Sequence, residues 1–582
     1  MKSNLKKSSL LTFLLCGLLC CYNSVHSQIN FENLSTHYGL NLSCGDTFLG
    51  NGVAFVDFDN DGWDDLTFTT EDGQSIRFFK NYNGIFSEYF FSMPDLTHQT
   101  KSLNWVDYDN DGDKDLFVTS FTDSNRLLRN DGSGILVDVT VAAGFPLEAL
   151  KTYGASWGDI NNDGFLDVFL SSFDPAKVIP NLLFQNNGNG TFSNISWTAG
   201  ISNEGHLSFC SAFLDYDNDG FQDIYISNDR TANTNILYRN NGDGTFEDVS
   251  EVSGADLAID AMSVTVDDVN SDGWLDIYVT NTPTLGNYFL QNNGDGTFTN
   301  IAGSSTTEVF GPCWGAVFLN AENDMDLDLY VSSTADYNST FNPSTFFRNV
   351  GNESFVTSSS NFYGFNNDDN YSFSNAIGDV DNDGLYEIIV TNASDENVDF
   401  WKNNTNTINN YLKINLEGVI SNRDGIGSVI EISINGTVQY GYTLCGEGYL
   451  SQNSSTEVFG LGNNDVVDYV KVNWLSGIED TIYNVSANQV LNIVEGSTLS
   501  IDSFEQQLQI DLYPNPVSEV LNINNLSGAN IVRIQLHDLK GDLIKEFDNS
   551  EKIDCSNLMQ GFYLVSLELE DHRLLHYKIL KQ

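Results

Sequence analysis

The sequence predicts an all-β protein: a seven-bladed β-propeller, then a small β-sandwich-like domain and a C-terminal Ig-like β-sandwich. Three observations carry this. Forty-eight Gly against nine Pro, with 39 Phe and 25 Tyr, favour many short strands joined by tight turns over long helices. A nine-residue acidic pattern recurs seven times, at spacings of 50, 52, 56, 53, 52 and 59 residues, the period of a propeller blade rather than of a helical solenoid. Apolar residues alternate on both flanks of every copy, so each copy is a loop between two strands.

The repeats begin at Asp57, Asp107, Asp159, Asp215, Asp268, Asn320 and Asp379. Two residues before each stands an apolar side chain: Phe55, Trp105, Trp157, Phe213, Val266, Phe318 and Ile377. After the ninth position come pairs such as Leu66/Phe68, Val168/Leu170 and Ile388/Val390. A second hairpin follows in most repeats; Asn-Asn-Gly-Asp-Gly-Thr between Arg239 and Phe246, and again between Gln291 and Phe298, supplies the positive φ that tight turns need. Four strands per unit, arranged around an axis, leave only short edges. The propeller is placed at 28–405. Six or eight blades stay compatible with the spacing, because 28–50 is free to pair with the last sheet.

Carboxylates at positions 1, 3 and 5 of a tight loop converge on one point, and an acid at position 9 closes the far side. Oxygen donors in that number select a hard cation, and Gly at position 6 permits the turn. The candidate ligands are Asp57, Asp59, Asp61 and Asp65; Asp107, Asp109, Asp111 and Asp115; Asp215, Asp217, Asp219 and Asp223; and Asp379, Asp381, Asp383 and Glu387. Two loops carry one neutral oxygen donor: Asp159, Asn161, Asp163 and Asp167, and Asp268, Asn270, Asp272 and Asp276. The loop of Asn320, Glu322, Asp324 and Asp328 has Met325 where Gly belongs, which puts a side chain in a strained position. Asp, Asn and Gly are also ordinary turn formers, but four acids in one register in four repeats repel unless a cation neutralises them. Ca²⁺ suits such a flexible oxygen cage better than Mg²⁺, and about six or seven ions are expected.

The pattern Asp-x-Asp-x-Asp-Gly-x-x-Asp with the following Asn-Asn-Gly-Asp-Gly-Thr-Phe resembles the FG-GAP or VCBS repeats of integrin α-subunit propellers and many secreted bacterial proteins. The resemblance implies a calcium-stabilised propeller used mainly for binding. Past Asn410, Arg423-Asp-Gly-Ile-Gly427, Gly448-Tyr-Leu-Ser-Gln-Asn453, Phe459-Gly-Leu-Gly462 and Val470-Lys-Val-Asn-Trp474 resemble an ASPIC/UnbV domain, placed at 406–496, of the kind that accompanies such propellers in proteins similar to cartilage acidic protein. Leu475 stands where that family has Pro. After a linker at 497–507, Leu512-Tyr-Pro-Asn-Pro516, Gly561-Phe-Tyr-Leu564 and Lys578-Ile-Leu-Lys581 over 508–582 resemble the type A sorting domain of the type IX secretion system. That resemblance implies a Bacteroidota-like Gram-negative source and passage through the periplasm to the outside or the outer surface, with the type IX machinery as a partner.

The N-terminus fits this route. Lys2, Lys6 and Lys7 precede an apolar run from Leu10 to Cys21, and Val25-His26-Ser27 ends on a small residue, so 1–27 reads as a signal peptide. Leu18-Leu19 before Cys20 lacks the small residue next to a lipidated cysteine. No later stretch is apolar for about 18 residues, so no membrane span is expected. Cys44, Cys210, Cys313, Cys445 and Cys555 remain after processing, an odd and scattered set that reads as small buried side chains rather than a disulfide framework.

With 80 acids and 25 bases the chain carries −55, or 22 − 80 = −58 once the three N-terminal lysines are removed. Nucleic acid is excluded as a partner. There is no HExxH, and His206 and Tyr153 read as packing or surface groups. The expected function is therefore non-enzymatic: a calcium-binding adhesion module for an extracellular glycan or protein. The alternative is a carbohydrate-active enzyme, such as a polysaccharide lyase, that uses the propeller as scaffold.

Overall fold

The computed structural model describes residues 28–498 and 510–582, apart from 336–338, 352, 358–362, 367, 369, 394–395, 526–530, 538–542, 549–551 and 570–573. The signal peptide read over 1–27 and most of the linker lie outside the described residues. The chain divides into two compact units, 1–496 and 497–582.

Every acidic repeat joins two antiparallel strands. In the first, Val53–Val56 pairs with Asp65–Phe68, and the loop from Asp57 links them. Arg77–Asn81 and Phe86–Tyr89 complete the sheet. The same order recurs over 103–138, 152–194, 208–248, 264–300 and 313–357. The seventh sheet takes three strands from 372–403 and its fourth from the N-terminus, where Phe31, Glu32 and Asn33 pair with Asn403, Lys402 and Trp401. Helix is confined to two single turns, Ser250–Ser253 and Ala302–Ser305, among the described residues.

Neighbouring sheets pack face to face on large side chains. Trp105 stacks on Phe58 at 5.2 Å, and Trp157 meets Phe117 edge-on at 5.4 Å, both indoles fully buried. Burial of such rings contributes about 25 cal/mol per Å² of apolar surface removed from water. The five cysteines of the described chain are free and buried.

A second link between sheets is polar. The residue at loop position 4 adopts a left-handed backbone in all seven loops, with φ from +54° at Asn218 to +59° at Asn323. This turns the Asn amide toward the next sheet: Asn60 donates to the Gly112 carbonyl at 2.9 Å, Asn110 to Gly164 at 2.8 Å, and Asn162 to Gly220 at 2.9 Å. Asn218 reaches Gly273, Asn323 reaches Gly384, and Asn382 of the seventh sheet reaches Gly62 of the first at 3.1 Å. The sheets therefore close on themselves in a ring. Ser271 occupies this position in the fifth loop and makes no such bond to the sixth.

The segment after the ring forms two sheets around one apolar core. Asn410–Glu417 lies between Glu457–Gly462 and Val490–Val494; Val429–Ile434 lies between Thr437–Tyr442 and Val466–Asn473, with Glu479–Ser486 at the edge. Leu412, Ile430, Ile432, Val470, Val472 and Trp474 fill the space between.

Residues 445–454 leave this sandwich and enter the axis of the ring. The Cys445 carbonyl accepts from Trp157 N at 3.0 Å, Gly448 N donates to Val264 O at 2.6 Å, and Ser451 and Gln452 pair in parallel with Val53 and Ala54. The Gln452 amide brackets the Trp105 backbone, accepting from its N–H at 2.7 Å and donating to its carbonyl at 2.9 Å. Asn453 accepts from Ile377 N. Tyr449 packs on Phe209 and Trp314, 5.9 and 5.0 Å between ring centres, and its hydroxyl donates to the Leu49 carbonyl at 2.6 Å. Every sheet of the ring thus touches this plug. Gly446 is required there: its φ is +84°, and a Cβ would lie 2.2 Å from the Ala155 carbonyl oxygen.

In the C-terminal unit, Ile510–Tyr513, Val520–Asn525 and Lys552–Asp554 form one sheet. Leu543–Asp548, Ile531–His537, Gly561–Leu569 and Leu574–Lys581 form a second, with Val517, Leu521, Ile534, Val565 and Ile579 buried between.

Candidate metal centre

The acidic loops are preshaped by their own first residue. Asp57 accepts from Asp61 N at 3.1 Å and from Gly62 N at 2.7 Å, one bond to each oxygen, and Asp107, Asp159, Asp215, Asp268 and Asp379 repeat this. The left-handed turn at position 6 has φ of +83° to +98° where Gly stands, and +82° at Met325. The expected strain at Met325 is present, and a non-Gly side chain held there costs of order 1 kcal/mol or more. The ninth residue is anchored from below: Asp65 accepts from Asn81 N at 2.7 Å and from Phe58 N at 3.2 Å.

Carboxylate oxygens converge within 4.8 Å of one another in four loops: Asp57, Asp59 and Asp61; Asp107, Asp109 and Asp115; Asp215, Asp217 and Asp223; and Asp379, Asp381 and Glu387. Asp65, Asp111, Asp219 and Asp383 stand beside these groups without belonging to them. In the loops with a neutral donor, Asn161 and Asn270 turn their amide nitrogens onto Asp163 and Asp272 at 2.9 Å, and Asp167 and Asp276 lie buried beneath. The fit to a hard cation is best in the second and fourth loops. Buried oxygens there have no hydrogen-bond partner in the protein: Asp109 Oδ1, Asp115 Oδ2 and Asp217 Oδ1. Burial, with Asp109 and Asp107 adding to it, pushes the Asp115 carboxyl up to about 9 against the bond from Asn130 N. A hard cation bound there would supply the missing positive charge.

A pattern invisible in the loops themselves lies on the third strand of each sheet, one residue before its final Asn. Lys80, Arg129, Arg239, Arg348 and Lys402 occupy it in the loops with an acid at position 3, and Gln185 and Gln291 occupy it in the two loops with Asn there. Lys80 pairs with Asp59 and Asp61, and Lys402 with Asp381, Asp383 and Glu387. Burial opposes the charge on Lys402, but the three carboxylates win and raise its pKa. Arg348 spans Glu322 at 2.6 Å and Asp324 at 3.4 Å, so a guanidinium sits against the degenerate sixth loop. The residue types correlate without any ligand, and comparing repeats would have revealed them.

Loops one, two and seven face the sandwich across a cleft of about 640 Å³. Asp57, Asp61, Asp107 and Asn382 form one wall, and Lys413, Asn415, Arg423, Asp424 and Asn492 the other. Lys114 bonds Asp424 at 2.5 Å, Lys413 bonds Asp379 at 2.8 Å, and Arg423 bonds Glu417 at 2.8 Å. Tyr153 is buried in the strand Thr152–Gly158, and His206 is half-buried.

The fold and site define a class of protein: a ring of four-stranded sheets with one acidic, oxygen-donor loop apiece. Models of three families match the chain: the FG-GAP-like repeat over 57–118, 107–170, 215–279 and 268–331, ASPIC and UnbV over 418–500, and the secretion system C-terminal sorting domain over 511–582. The loop from Asp379 lies outside the matched spans. Among curated proteins the chain is similar to cartilage acidic protein 1: 24% identical over 275 residues to that of Xenopus tropicalis, covering 43% of this chain and 41% of that protein. Against the Homo sapiens protein the identity is 23% over 498 residues, covering 77% and 72%. Among solved structures, the extracellular domain of a hybrid two component system of B. thetaiotaomicron matches at 12% identity and TM-score 0.36, covering 95% of this chain and 66% of that one. Sqt1 of Saccharomyces cerevisiae matches at 11% and 0.38, covering 62% and 98%. The C-terminal match points to secretion by the type IX route, and no helix among the described residues is long and apolar enough to cross a membrane.

Proposed function

We propose that the chain is a non-enzymatic binding protein, exported to the surface or surroundings of a Gram-negative bacterium. In this reading 28–405 is a seven-bladed β-propeller carrying six or seven Ca²⁺ ions, and its ligand is a glycan or a protein. The observation that carries the reading is the plug. An open propeller axis is a natural place for a deep catalytic cleft, and here residues 445–454 fill it, so recognition falls to the outer faces. The cleft between the loops and the sandwich has the size of a ligand pocket, yet neither His nor Tyr lines it, and each of its bases is held by an acid. Polar amides and hydroxyls beside three acidic loops suit a sugar ligand.

The calcium would be held by the converging carboxylates of the loops at Asp57, Asp107, Asp215 and Asp379, and by Asp159, Asp163, Asp167, Asp268, Asp272 and Asp276 in the neutral-donor loops. Its chemistry there is charge neutralisation and cross-linking of neighbouring strands. The test is a paired screen of the purified, calcium-loaded chain for glycan capture and for turnover. Capture that EDTA abolishes, with no oligosaccharide released, is expected. Release of unsaturated oligosaccharides would establish the lyase instead.

A further inference from the structure

The junction between plug and ring encloses a second acidic place, beside the fifth loop. A cavity of about 70 Å³ is lined by Asp267 and Thr265 of the fifth sheet, Glu447 and Asn453 of the plug, and Glu457 and Tyr442 of the sandwich. A neighbouring cavity of about 80 Å³ shares Asp267, Glu457 and Tyr386. No Lys, Arg or His lines either one. Glu447 is 7% exposed; its Oε1 accepts from Asn453 at 2.8 Å, and its Oε2 has no hydrogen-bond partner. Asp267 accepts only from Asp268 N, at 2.8 Å.

Two features make this more than a cluster of acids. Asp267 sits just before its loop, where the other six repeats have Val56, Val106, Gly158, Leu214, Leu319 and Gly378, so an acid replaces an apolar or small residue at this one seam. The seam is also the one where Ser271 breaks the ring of Asn-to-carbonyl bonds. A buried carboxylate oxygen with no hydrogen-bond partner is strongly disfavoured unless a cation or a proton joins it. The space equals about two water molecules at roughly 30 Å³ each, enough for an ion and part of its hydration shell.

We propose that this cavity binds one hard divalent cation, in the manner of Ca²⁺, held by Glu447, Asp267 and Glu457 and partly through water. The three carboxylates do not converge as closely as those of the loops, so water completes the shell. Carboxylate, amide and hydroxyl oxygens are the only polar donors on the wall, which excludes a soft metal. The ion stitches the plug to the fifth sheet at the seam that lacks its polar clasp.

The experiment is an anomalous-scattering map of crystals of the full chain soaked in Ca²⁺ and, separately, in Yb³⁺. A peak between Glu447 and Asp267, in addition to peaks in the loops, is expected. Filled loops with an empty cavity would overturn the proposal and leave the loop reading standing; a filled cavity with empty loops would do the reverse. Glu447→Gln, which keeps the shape, should lower the calcium stoichiometry by one ion per chain and shrink the calcium-dependent rise in Tm. An unchanged stoichiometry with equal or higher stability would mean that the cavity holds protonated carboxyls instead.

Discussion

Tyr449 is the side chain on which ring and sandwich depend together. It is fully buried, contacts Phe209 and Trp314 from the fourth and sixth sheets, and donates to Leu49 ahead of the first. Tyr449→Ala removes a large aromatic from a packed site, worth about 3–5 kcal/mol. It also leaves the Leu49 carbonyl without its donor, worth about 1 kcal/mol more. Tyr449→Phe loses only the hydrogen bond, so the two variants separate packing from polarity. Unfolding in guanidinium, followed by tryptophan emission, reports on the ring through Trp105, Trp157 and Trp314 and on the sandwich through Trp474. If 445–454 is a structural axle, Tyr449→Ala shifts both signals together by roughly 4–6 kcal/mol, and Tyr449→Phe by about a quarter of that. A sandwich transition that moves alone, with the ring unaffected, would refute the plug as a load shared by all seven sheets.

Other perturbations follow from the same geometry. Asp217→Asn, which neutralises a converging carboxylate, should lower the number of bound calcium ions by one and reduce Tm in calcium but not in EDTA, as calorimetry will show. Asn382→Ala opens the ring between its last and first sheets and should cost about 1 kcal/mol in equilibrium unfolding. Lys101 is buried, lies 4.9 Å from the centre of the Tyr153 ring, and donates to the Gly50 carbonyl; burial drops its pKa to about 7. Between pH 7 and the ordinary lysine value near 10.5 the unfolded chain then holds a proton that the folded chain lacks. Its contribution to stability therefore rises with pH across that window, and Lys101→Met should remove this slope relative to wild type. Deleting 508–582 should trap the chain in the periplasm, and its normal appearance outside the cell, seen by fractionation, would remove the sorting role.

Much of the architecture was legible because its repeat is local. Strand, loop, strand follows from side chains alternating within a few residues of each acidic loop, and Gly62 or Gly112 marks the turn because only Gly takes that backbone without strain. The burial of Trp105 and Trp157 follows from the same register. The cations Lys80 and Arg348 and the amides Asn60 to Asn382 are equally periodic, and reading down the repeats rather than along the chain exposes them. The plug is of another kind. Gly446, Tyr449 and Gln452 have no periodic signal, since their partners Ala155, Trp314 and Trp105 lie about 135 to 350 positions away in sequence. The sequence by itself determined the repeat, its strands and the oxygen-rich loops, because each depends on residues close enough to interact before the chain closes. Only the tertiary structure decided that the ring's axis is filled by another domain, and that Glu447 meets Asp267 there. Contacts of that range are set by how the sheets assemble, and no local pattern encodes them.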